Sequence, residues 1–193
     1  LFFFSLLVDQ VFFNRFKLDM KKLSLILSSV LLVFLVGCNT VPPVDYTLTQ
    51  VPSVDRKDVE LVSVTVGYVP KTRNNTIQTN HLVPPAWKEA LLDAFNRSLI
   101  FSDDQERKIS ISVKIDEYDL PIAGFAMTTT CGAIYEVMDR SNGEVIFNER
   151  IGSSGTVPMD FAFAGIIRAS ESINRCGRNN IYEFINKLDS SNL

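Results

Sequence analysis

A single histidine, three cysteines and one tryptophan in 193 residues leave little material for a reaction centre. With His81 alone, no two-histidine metal set can form, and the cysteine spacing contains no Cys-His zinc pattern. His81 lies in a polar stretch and reads as a solvated loop residue. No Gly-rich phosphate loop of either major type occurs. Basic charge is also scarce, with 19 Lys and Arg against 22 Asp and Glu. Setting aside the first 37 residues leaves 15 against 20. That balance disfavours nucleic acid as a partner. At 46% hydrophobic and 21% charged residues, the chain is neither disordered nor fibrous, and its length suits one domain plus a targeting segment.

What is present begins at Met20, where the text reads MKKLSLILSSVLLVFLVGC. Two lysines precede an apolar run from Leu23 to Val36, too short at about 14 residues to be a spanning helix but suited to the hydrophobic core of a signal peptide. Leu35-Val36-Gly37-Cys38 resembles the bacterial lipobox. The resemblance implies cleavage between Gly37 and Cys38, with a diacylglycerol on the Cys38 thiol and a further acyl chain on its amine. No other cofactor is expected. Asn39 stands where an Asp would favour inner-membrane retention, so the expected location is the inner leaflet of the outer membrane, facing the periplasm. Residues 1 to 19 lack a basic start and are expected to be an upstream extension from a mis-assigned start.

Residues 38 to 58 hold the acylated cysteine and then Pro42, Pro43 and Pro52 without helical or alternating period. They are expected to form a flexible tether. The periplasmic domain is then residues 59 to 193. Val62, Val64, Val66 and Tyr68 alternate as in a half-buried strand, and Pro84-Pro85 open a helix that carries Trp87, Ala90, Leu91, Ala94, Phe95 and Leu99 on one stripe. Ile109, Ile111, Val113 and Ile115 mark a second strand. Residues 128 to 139 and 144 to 153 form a hairpin around Asn142-Gly143. Asp160 is placed as cap of a last helix, with Phe163, Ile166, Ile167, Ser170, Ile173, Ile181, Phe184, Ile185 and Leu188 on one stripe and Gly177 as a bend. The order β-α-β-β-β-α predicts an α+β fold, a mixed sheet of about four strands with two helices packed on one face.

With Cys38 acylated, Cys131 and Cys176 remain in an oxidising compartment and are expected to form one disulfide pinning the last helix to the sheet. No catalytic residue and no metal ligand set emerges. Gly152-Ser153-Ser154-Gly155 lacks the spacing of a hydrolase elbow and reads as a turn after the fourth strand. The acidic Asp116, Glu117 and Asp119 read as a solvated strand end. Trp87 reads as core. Pro121, Ile122, Phe125 and Phe161 lie in two apolar connections and are candidates for a contact surface with a partner.

The lipobox, the proline-rich tether and the element order together resemble small periplasmic lipoproteins that serve as auxiliary subunits of envelope transport or assembly systems. The last helix, with the run Phe-Ala-Gly-Ile-Ile-Arg-Ala at 163 to 169 followed by Asn174-Arg175 and Asn179-Asn180-Ile181, resembles an uncharacterised proteobacterial outer-membrane lipoprotein family. Some members of that family are labelled UDP-N-acetylglucosamine acyltransferase, but the hexapeptide repeat of acyltransferases so named is missing here. The resemblance implies a non-enzymatic protein held to the membrane by its lipid and binding another envelope protein. The alternatives are a carrier of a lipid or small apolar ligand and an acyltransferase-like enzyme.

Overall fold

The computed structural model describes residues 41 to 70, 80 to 121 and 124 to 193. Cys38, Gly37 and the signal segment lie outside the described residues, as does Ile122. Residues 41 to 193 form one compact unit. Its elements are β1 (Glu60–Tyr68), α1 (Val83–Ser98), β2 (Lys108–Asp119), β3 (Met127–Asp139), β4 (Val145–Val157), a single 3-10 turn (Met159–Phe161) and α2 (Gly165–Asp189). The sheet order is β1-β2-β3-β4, with β1 parallel to β2 and the other pairs antiparallel. A parallel pair needs a crossover, and α1 supplies it. The fold is α+β, and both helices cover the same face of the sheet.

Alternation places Ile109, Ile111, Val113 and Ile115 of β2 in the core beside Ala133, Tyr135 and Val137 of β3. The opposite face is polar, with Lys114 paired to Glu136 at 2.7 Å and Ser63 bonded to Ser110 at 3.0 Å. One strand assignment shifts. A bulge between Leu61 and Ser63 leaves Val62 unpaired and 44% exposed, while Leu61 takes the position opposite Ile109. An extra residue in one strand reverses the facing of everything before it. Similarly, α1 ends earlier than its apolar stripe implies. Leu99 caps it at φ 55°, turns outward, and leaves the buried position to Ile100.

The expected tether departs most from expectation. From Val44 onward it packs along the groove between the helices, with Tyr46 and Leu48 buried. The Asp45 amide donates to Asn174 Oδ1 at 3.0 Å, and Arg97 Nη1 donates to the Leu48 carbonyl at 2.7 Å. Lys57 bridges to Phe101, and its ammonium donates to the Asp189 carbonyl. The compact unit therefore begins near residue 41 rather than 59. Three prolines hide a short alternation, Val44-Asp45-Tyr46-Thr47-Leu48, which is the period of a half-buried strand.

Two glycines mark close approaches. Gly177 does not bend α2, which runs unbroken through it. A Cβ there would run into the Tyr46 ring. Gly152 to Gly155 are not a turn either, because β4 continues to Val157. A Cβ on Gly155 would collide with the Ser172 carbonyl and the Cys176 amide of α2, which are backbone atoms with nowhere to retreat. Gly155→Ala is expected to cost about 1–3 kcal/mol by overpacking. It should lower the urea midpoint without changing the slope, whereas an unchanged midpoint would show that α2 can lift freely.

Candidate functional site

The polar groups singled out in the sequence do not converge. His81 is exposed in the turn before α1. Asp116 and Glu117 are both held by Arg150, at 2.6 and 2.7 Å, and Asp119 points to solvent at the end of β2. The strained strand-to-helix turn that a hydrolase elbow needs is absent around Ser153, which sits within extended β4.

The centre of the interior, between α2, the first half of α1 and the middle of the sheet, is filled by the chain itself, whereas a cleft of about 430 Å³ lies at the sheet edge between α1 and β1, lined by Leu61, Val64, Leu92, Phe95 and Phe101. Tyr46, Trp87, Tyr135 and Phe184 are each at most 1% exposed. Trp87 Nε1 donates to the Tyr135 hydroxyl at 3.0 Å. That hydroxyl donates to Asn180 Oδ1 at 2.8 Å, and Asn180 Nδ2 donates to the Ile151 carbonyl. The Tyr46 and Tyr118 hydroxyls share a bond of 3.0 Å. Burial pushes the Tyr118 phenol up to about 12 and drives Tyr46 and Tyr135 upward as well, so all three stay neutral. Neutral, paired phenols rigidify a core; they do not move protons at physiological pH. A guest at this centre would have to displace these side chains. The disulfide closes the same region, joining Cys131 to Cys176 with a Cα–Cα distance of 6.2 Å.

Apolar groups do converge, at the end of the sheet where β2, β4 and the start of α2 meet. Phe125 is 80% exposed and Phe163 99%, with Met159, Phe161 and Ile166 each about half exposed. Pro121 is half-buried at the edge of this patch. The loops are built rather than loose. Arg168, 6% exposed, donates through Nη1 to the carbonyls of Ala162 at 2.6 Å and Phe163 at 2.8 Å. Through Nη2 it donates to Gly124 at 3.4 Å, while its Nε is buried without a partner. One guanidinium thus ties together both apolar connections. The Arg175 guanidinium lies 5.3 Å above the Phe161 ring and bonds the Thr156 carbonyl.

Of the candidate contact residues, Phe125 and Phe161 are brought to one end of the molecule and Pro121 borders them. Sequence reasoning missed Met159, Phe163, Ile166 and Arg168, because it placed the last helix from Asp160 with its apolar residues inside. The helix begins at Gly165 with Ala164 as cap, and Asp160 belongs to the 3-10 turn. The first turns of α2 are inside out. Arg168, Ser172 and Asn174 are buried, and Phe163 and Ile166 face water. Ser172 bonds Thr129 at 2.8 Å, and Asn174 Nδ2 donates to the Pro43 carbonyl at 3.0 Å. These polar partners, not hydrophobicity, set the phase of the helix.

No helix among the described residues is long and apolar enough to cross a membrane. No protein-family model and no curated protein matches the chain. Several solved structures are similar to it. A candidate lipoprotein of Caulobacter crescentus is 13% identical over 69% of this chain and 88% of its own, at a TM-score of 0.42. A hypothetical protein of Chlamydia trachomatis is 12% identical over 71% and 98%, at 0.47. A Xanthomonas campestris protein described under the family model DUF330 is 12% identical over 77% and 96%, at 0.48.

Proposed function

We propose that this chain is a non-enzymatic lipoprotein of the bacterial envelope, anchored through acylated Cys38 to the inner leaflet of the outer membrane. Its periplasmic domain acts as an auxiliary of transport or assembly, binding a second envelope component through the apolar end. One observation carries the reading. A buried arginine is spent on holding two loops so that Phe125 and Phe163 stand in water, which costs stability unless something covers them. The lipobox supplies the compartment. Cells fed labelled palmitate should label the wild type and not Cys38→Ala. Equal labelling of the two proteins would overturn the anchored-lipoprotein reading.

A further inference from the structure

We propose that the component covering the apolar end is the acyl layer of the bilayer itself, so that the domain lies on the membrane through Phe125, Phe161, Phe163 and Ile166 as well as through its lipid. This inference rests on the proposed anchor at Cys38 and deepens it.

The course of the chain points there. Tyr46 packs on Gly177, Asp45 bonds Asn174, and the Pro43 carbonyl accepts from Asn174. Going back towards the amino terminus, the chain therefore climbs α2 towards its first turn. Asn174 is eight residues from Ile166, about 12 Å along the helix. Cys38 and Val41 are three positions apart, with Asn39 and Thr40 between them, and that length spans at most about 11 Å. An anchor on so short a leash holds this end of the domain, and not the hairpin end, near the bilayer.

The chemistry of the surface fits an acyl layer. Residues 120 to 127 carry no charge, and residues 157 to 167 carry only Asp160. Loop peptide carbonyls at 124, 162 and 163 turn inward to Arg168, so these three acceptors are withdrawn from the face. A bilayer needs only aromatic and aliphatic side chains placed at its interface, and Phe125, Phe161, Phe163 and Ile166 supply them. Acyl chains and an inserted apolar face add their affinities.

The lone tryptophan makes the test clean. Trp87 is fully buried and serves as an internal reference, so Phe163→Trp adds one reporter at a fully exposed position. The full-length acylated variant is reconstituted into vesicles of phosphatidylethanolamine, phosphatidylglycerol and phosphatidylcholine brominated either high or low on the acyl chain. Emission from the new tryptophan should fall about twofold with bromine high on the chain, less with bromine low, and be shielded from aqueous acrylamide, as expected for insertion of about 5–10 Å. Glu144→Trp, in the hairpin about 40 Å away along β3, should respond only to acrylamide. Access of acrylamide to the reporter at 163 overturns the inference, as does shielding from both quenchers, which would mean a protein cover such as a second copy. Equal bromine quenching at 144 overturns it as well. Palmitate incorporation reads the parent proposal separately: labelled protein without bromine quenching refutes the membrane face alone, and unlabelled protein refutes the anchor.

Discussion

Trp87→Ala is expected to lower stability by roughly 3–5 kcal/mol, the largest single-residue effect in this domain. Trp87 is wholly buried and meets the Tyr46 ring edge-on at 5.2 Å, so its removal opens a cavity between α1 and the chain segment laid across it. The loss extends beyond volume. Tyr135 loses the donor to its hydroxyl, and Tyr46 loses its main packing partner. In a domain of this size that energy corresponds to a fall in Tm of about 10 °C or more. The segment from 44 to 58 should become the first site of proteolytic cleavage. Trp87→Phe keeps most of the ring and should lose about 1 kcal/mol, the net worth of the hydrogen bond. Should the alanine variant melt within a degree or two of the wild type, the interior described here would not be the cooperative core.

Reduction of the disulfide is the second large effect. Cys131 and Cys176 close a loop of 45 residues, and the entropy removed from the unfolded chain by such a closure amounts to about 4 kcal/mol. The bridge joins β3 to α2 beside Gly155, where helix and sheet already approach to backbone contact. Because the folded geometry is dictated by that approach, the reduced protein should retain its fold at low temperature while its urea midpoint drops sharply. The double variant Cys131→Ala with Cys176→Ala should reproduce the drop and abolish its dependence on reductant. Identical midpoints with and without reductant would show that the bridge constrains nothing in the unfolded chain.

Where burial follows hydrophobicity, local pattern was enough. The alternation in β2 placed Ile109 to Ile115 correctly, Asn142-Gly143 located the hairpin, with Gly143 at φ 74°, and the two prolines placed the start of α1 within a residue or two. Trp87 was legible as core for the same reason. The site was half legible. Phe125 and Phe161 stand out as apolar residues in connections, but Phe163 and Ile166 read as core because they are apolar and near a helix. Their true facing depends on Arg168, Ser172 and Asn174 finding partners inside.

The amino-acid sequence by itself determined the order of elements and the α+β class, because each follows from composition or from a period read within a dozen residues. Only the tertiary structure decided that Tyr46 threads between the helices, that Gly155 is a strand residue touching α2, and that the first turns of α2 carry their polar side inward. Those outcomes rest on contacts between residues far apart in the chain, such as Thr129 with Ser172 or Tyr46 with Gly177. A local period records how apolar a position is. It carries no information about a distant hydroxyl or carbonyl waiting to receive a polar side chain, and at this end of the molecule such partners outweigh hydrophobicity.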